Sequence, residues 1–149
     1  MKSENNKHSE KDLQRIKALR IADDNFMTIY FDDFIEGAEL ILKIILDRDD
    51  LVVKEVKTQE QLNNVIGRSA ILDIYAVDLS NKNYDVEIQR ANKGASLKRA
   101  RYHSSLITVN MLDKGEAFDS IRDCYVIFIT ENDVFGRGEP IYHIDKTIH

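Results

Sequence analysis

From Phe34 onward the chain switches between two hydrophobic periods. Phe34, Ala38, Ile41, Leu42 and Ile45 share one face at helical spacing, and Asp33 followed by Glu36 has the form of a capping box. A helix packed on a core is predicted there. The charged run Asp47-Arg48-Asp49-Asp50 closes it, and residues 51–58 read as a strand of moderate alternation. Period two then becomes clear, with Ala70, Leu72, Ile74 and Ala76 apolar in residues 69–78 and Tyr84, Val86 and Ile88 apolar in residues 84–89. Between them, Ser80-Asn81-Lys82-Asn83 is hairpin turn chemistry. Side chains alternate along a strand, so Glu87 and Gln89 point the same way, opposite to Val86 and Ile88. A hairpin centred near Asn81 sets Asp73 opposite Gln89, on the same face and diagonal to Glu87.

A second helix is predicted over residues 95–112, with Leu97, Ala100, Ile107 and Met111 on its apolar face and Lys98, Arg99 and Tyr102 turned away. Residues 123–130 form a continuous apolar run, as expected of a central strand buried on both faces. Gly136-Arg137-Gly138 and Pro140 mark a loop, followed by a short edge strand over residues 141–144. At the other end, residues 1–9 are polar and aperiodic and read as a disordered tail, with a short helix over residues 11–20. The division expected is a polar tail with a short helix over residues 1–20 and one domain over 21–149. No internal repeat or low-complexity tract is present.

Composition narrows the class. A chain of 149 residues with 43% hydrophobic content suits one core. The N-terminus has no apolar segment to act as a signal peptide or membrane span, so a cytoplasmic protein without a membrane partner is expected. Cys124 is the single cysteine, which excludes an intrachain disulfide and a cysteine-rich zinc site; its apolar neighbours mark it as a core residue. The formal net charge is -5. Against that background, residues 88–112 contain no Asp or Glu but carry Arg90, Lys93, Lys98, Arg99 and Arg101. That basic stretch is a candidate phosphate-contacting surface, with Arg90, Lys98, Arg99 and Arg101 its expected nucleic-acid-binding residues.

Three blocks in order carry a family resemblance: Arg68-Ser69-Ala70-Ile71-Leu72-Asp73-Ile74-Tyr75-Ala76, then Val86-Glu87-Ile88-Gln89-Arg90, then Lys98-Arg99-Ala100-Arg101-Tyr102-His103-Ser104-Ser105. Together with Phe26 and the helix around Glu39, they resemble the PD-(D/E)XK nuclease superfamily, in its recombination-promoting nuclease or transposase branch. Leu72 stands where the superfamily's name places Pro, and Gln89 where it places Lys. The resemblance runs from about Asp23 to the end. It implies an α/β fold with a restriction-endonuclease-like core, a small mixed four-stranded sheet with helices on both faces in the order αβββαβ. Family chains often continue as helix, so a chain ending at His149 would be a truncated product.

The activity implied is metal-dependent cleavage of DNA in recombination or mobile elements. The implied catalytic residues are Asp73, Glu87 and Gln89, and the implied metal ligands Asp73, Glu87 and the main-chain carbonyl of Ile88. The residue chemistry agrees. A phosphodiester needs a hard cation to neutralise oxygen charge and activate water, and Mg²⁺ takes one or two carboxylates while keeping open positions. Oxygen ligands accept Mn²⁺ as well. By the same resemblance Gln89 would orient the attacking water or touch a phosphate; Gln cannot titrate, so it cannot be the general base. Glu39 and Asp24 are candidate additional acids by the same resemblance, although Glu39 and Lys43 at i,i+4 also make an ordinary helix pair. Many members of the superfamily act as dimers, which leaves a homodimer open. The competing class is a binding module on the same fold, weak or inactive in catalysis, holding DNA or a protein.

Overall fold

The computed structural model describes residues 34–89 and 94–145. The expected tail and helix over residues 1–20, together with Asp24, Phe26, Asp33, Arg90 and Lys93, lie outside them.

Helix α1 spans Ile35–Leu46 with Phe34 at its N-cap position, so the capping box does not start this helix. Its apolar stripe buries Ala38 and Leu42, with Ile35, Ile41 and Leu46 packed alongside. It ends where Asp47 turns left-handed at φ 51°. Strands β1 (Val53–Leu62), β2 (Ala70–Asp78) and β3 (Asn83–Gln89) follow, then α2 (Leu97–Asn110) and β4 (Cys124–Thr130). The four-stranded sheet has the order β1-β2-β3-β4, antiparallel except for the parallel pair β3 and β4. One cluster joins α1 to Val53, Val56, Ile74, Ala76, Tyr84, Val86 and Ile88; another joins Leu106 and Ile107 of α2 to Ala70 and Leu72. The helices therefore cover opposite faces, as expected for a restriction-endonuclease-like core.

Four details differ from the sequence reading. Residues 123–130 do not supply the central strand. The flank of β3 away from β4 is taken by its hairpin partner β2, so the crossover through α2 delivers β4 to the free flank, at the edge. The doubly buried strand is β3, with Asn83 through Ile88 all buried, whereas every residue of β4 is half-buried. Second, the hairpin closes earlier than Asn81. The buried Asp78 accepts the Lys82 N–H at 2.9 Å and the Tyr84 hydroxyl at 2.8 Å, while its carbonyl accepts the Asn81 N–H at 3.0 Å. The register becomes Ile74 with Val86 and Tyr75 with Asp85, which aligns Asp73 with Glu87 instead of Gln89.

Third, the even positions of β2 do not stay on one face. Ala70 and Leu72 pack towards α2, Ile74 and Ala76 towards α1, so the strand changes face around Asp73. Across from this point, Gln59 of β1 is left-handed at φ 52°, a local kink in the neighbouring strand. Fourth, residues 141–144 form no strand. The Tyr142 hydroxyl is tied at 2.8 Å to Asp133, whose carboxylate also accepts the N–H groups of Phe135, Gly136 and Gly138, folding the segment into a loop. Cys124 is a core thiol as expected, pushed up to about 11 by burial. No helix among the described residues is long and apolar enough to cross a membrane.

Candidate active site

The ladder between β2 and β3 stops at Ile74 and Val86, and beyond it side chains replace backbone partners. The Asp73 N–H donates to Glu87 Oε1 at 3.1 Å, and the Ile88 N–H donates to Asp73 Oδ2 at 3.0 Å. Gln59 Nε2 reaches Asp73 Oδ1 at 3.5 Å from β1. Both carboxylates are thus wedged into the opening between diverging strands. Asp and Glu are poor strand residues, and here they end the ladder while satisfying the backbone groups it would have used.

Behind Glu87 lies a buried chain of polar contacts. Arg99 Nη2 donates to Glu87 Oε2 at 2.7 Å, Arg99 Nε meets His103 Nε2 at 3.4 Å, and His103 Nδ1 meets Asp85 Oδ2 at 2.9 Å. Arginine only donates, so His103 Nε2 is the acceptor and the imidazole proton sits on Nδ1, facing Asp85. Asp85 and Glu87 are fully buried and His103 is 4% exposed. The Phe128 ring of β4 packs 5.8 Å from the Arg99 guanidinium and 6.4 Å from the His103 ring, keeping water from the chain. Asp85 Oδ1 is buried with no hydrogen-bond partner among the described residues.

Burial controls the electrostatics. It pushes Asp85 up to about 7, with the nearby Asp73 charge adding to the effect. Glu87 is raised for the same reason and then by Asp85 and Asp73, whereas burial lowers His103. Three carboxylates converge here against the Arg99 guanidinium, and single ligand atoms of Asp85, Glu87 and His103 lie within 4.8 Å of one another. With both His103 nitrogens engaged, it is the carboxylate oxygens, among them the Asp85 oxygen without a partner among the described residues, that fit a hard divalent ion.

A pH dependence follows. Asp85 moves from 3.8 unfolded to about 7 folded, so its contribution to stability is present below pH 4 and lost as pH rises towards 7; the raised Glu87 acts in the same direction. His103 is lowered from 6.5 and works oppositely, but only below that pH. Above about pH 6.5 the carboxyls act alone. The melting temperature of the metal-free protein is therefore expected to fall between pH 6.5 and 8, and millimolar Mg²⁺ or Mn²⁺ to cancel the fall. Calorimetry showing a rise over this range would contradict the cluster electrostatics.

Of the residues singled out from sequence, Asp73 and Glu87 meet in this opening, and Ile88 joins through its N–H. Gln89 lies at the end of β3 with its amide against Gly94, where any Cβ would collide with Gln89 Oε1. Lys98 and Arg101 are exposed on α2. Arg99 is not turned away as the helical pattern suggested, because its guanidinium reaches inward to Glu87. Tyr102 packs onto the β1–β2 loop, its hydroxyl donating to the Arg68 carbonyl. Glu39 is engaged elsewhere: its carboxylate accepts Lys43 Nζ at 2.7 Å and the Val53 N–H at 2.9 Å, which lowers its pKa and pins α1 to the start of β1. Val53 pairs with Asp78, about 17 Å along β2 from Asp73.

Sequence reasoning missed Asp85 and His103. The signal for Asp85 was its parity with Glu87 and Gln89, and for His103 its i,i+4 spacing from Arg99. An open groove of about 610 Å³ beside Tyr75, Asn83 and Met111 contains none of the cluster residues.

The sequence model of the PD-(D/E)XK nuclease family transposases matches residues 39–145. No curated protein and no solved structure matches the chain. With most of its length covered by that match, and acidic residues meeting where two strands of a mixed sheet part, the chain belongs to the PD-(D/E)XK nuclease family transposases.

Proposed function

We propose that the protein is a metal-dependent endonuclease that hydrolyses phosphodiester bonds in DNA, in the context of recombination or mobile elements. The observation that carries this reading is the β2–β3 ladder opening at Asp73 and Glu87, whose carboxylates converge near a buried Asp85 oxygen without a partner among the described residues. Asp73 and Glu87 would hold Mg²⁺, or Mn²⁺, with the Ile88 carbonyl as a further ligand. Within a strand the N–H and C=O of one residue face the same neighbour, and the Ile88 N–H already faces Asp73. When bound, the ion supplies neutralisation of phosphate charge and a lowered pKa for the attacking water.

The chain's own residues do the rest. Asp85, His103 and Arg99 hold Glu87 in orientation. Gln89 orients the attacking water or contacts a phosphate oxygen. Lys98 and Arg101 face solvent, where they can meet the DNA backbone, and Arg90, outside the described residues, is the remaining proposed contact. Arg99 would reach phosphate by exchanging its Glu87 contact once a cation takes over that carboxylate's charge.

The competing reading is a binding module that holds DNA without cutting it, and the presence of Gln at position 89 favours it. Supercoiled plasmid separates the two. At low salt, nicking with Mg²⁺ or Mn²⁺, absent with chelator and absent from Asp73→Ala, is the expected result. DNA binding without nicking under any metal would establish the non-cutting module.

A further inference from the structure

The loop between β1 and β2 carries Val65 and Ile66 at its tip, 100% and 98% exposed, adjacent β-branched side chains held in water. The tip is not slack. Asn64 Oδ1 accepts the N–H groups of Ile66 and Gly67 at 3.1 Å each, and the Asn64 N–H donates to Ser69 Oγ at 3.2 Å. Asn64 Nδ2 also donates to the Tyr102 hydroxyl at 3.3 Å, which in turn donates to the Arg68 carbonyl. The loop is therefore fastened to α2 and presents its two apolar residues from a fixed base.

Charge identifies the occupant. The chain has 26 acidic residues, yet residues 61–72 contain none, and neither do residues 88–112. The Tyr102 contacts bring these two acid-free stretches together. Among the described residues these stretches carry the exposed cations Arg68 in the loop and Lys98 and Arg101 on α2, with Lys98 one helical turn from Tyr102 and Arg101 next to it in sequence. An apolar point rimmed by cations fits a polyanion with an apolar interior. A second copy of this chain, with 26 acidic residues interspersed among 21 basic ones, does not present an unbroken row of anions. Double-stranded DNA does, because stacked bases lie between phosphate rows, and apolar side chains entering the minor groove part a base step.

We propose that Val65 and Ile66 form a wedge that enters a base step of the bound duplex while Arg68, Lys98 and Arg101 hold the flanking phosphates. This rests on the nuclease reading and deepens it, since unstacking next to the site would loosen the strand to be cut. Ala70, where β2 begins, lies about 10 Å along the strand from Asp73. The parted step therefore falls within about one helical turn of the cut.

The test uses short duplexes with 2-aminopurine placed at successive positions, with the full chain carrying Asp73→Asn to bind without cutting. A several-fold fluorescence rise confined to one step is expected. Adding Val65→Ser and Ile66→Ser should abolish it and weaken binding about tenfold, with the salt dependence of binding unchanged because the cations remain. Ile66→Phe, still apolar, should keep the signal. Equal fluorescence and affinity in the serine variant would overturn the wedge while leaving the nuclease reading intact. So would sedimentation showing that the serine changes convert a dimer to a monomer, which would assign the tip to contact between copies. A chain with its native tip and Asp73 that neither binds nor nicks DNA would overturn both.

Discussion

Glu87→Gln is expected to lower metal-dependent nicking by about a thousandfold or more, which corresponds to roughly 4 kcal/mol of transition-state stabilisation. The amide has the shape of the carboxylate, and its oxygen can still accept the Asp73 N–H that Glu87 holds at 3.1 Å. What it loses is charge, and a hard cation draws little from a neutral amide. The same change should leave the metal-free fold standing. Glu87 sits against Asp85 and Asp73 in a water-poor site that already raises its pKa, so removing the charge relieves repulsion as well as forfeiting the 2.7 Å Arg99 contact. The fall in melting temperature between pH 6.5 and 8 should become about half as steep, and Mg²⁺ should no longer raise it. Activity within tenfold of the native chain would remove Glu87 from the metal site. A loss of more than about 10 °C in melting temperature would make it chiefly a structural residue.

Part of this candidate site is legible in the sequence, and what is not has a common cause. Alternation alone put Glu87 on a defined face of β3, and three sequence blocks pointed to Asp73. Register was a different matter. It depended on Asp78 capturing the Lys82 N–H and the Tyr84 hydroxyl, a tertiary arrangement that a turn sequence does not announce. The same holds for the inward Arg99. A helix pattern counts arginine as polar and points it at water, yet a buried Glu87 reverses that preference by offering a charge-assisted bond. Nothing in the helical pattern singles out His103, because its value lies in what surrounds it: Asp85 on one nitrogen, Arg99 on the other and Phe128 beside the ring. Likewise β4 is as apolar as a central strand because its alternate residues pack into the two clusters on opposite faces of the sheet, although no further strand flanks it among the described residues. Periodicity reports faces well, and it is silent on neighbours.

His103→Ala should be the most damaging single change behind the site. It removes the Nδ1–H from Asp85 Oδ2, and because Asp85 Oδ1 has no partner among the described residues, the whole buried carboxyl is then stranded. Losing one member of a buried polar pair costs about 3 kcal/mol, a melting temperature lower by roughly 10 °C in a chain of this size. Protonation limits the damage, since Asp85 is already raised to about 7 and rises further without the imidazole. The penalty should therefore be smaller at pH 6 than at pH 8. His103→Gln separates orientation from mere packing. Its amide N–H can donate to Asp85 and its oxygen can accept from Arg99, which reproduces both contacts without a titrating ring. A positioning role predicts that His103→Ala weakens Mn²⁺ binding by about 10- to 100-fold, with nicking at saturating metal much less affected, and that His103→Gln recovers most of that affinity. Equal Mn²⁺ affinity in His103→Ala and the native chain, measured calorimetrically below both melting transitions, would reduce His103 to a packing residue and leave Arg99 as the residue that orients Glu87.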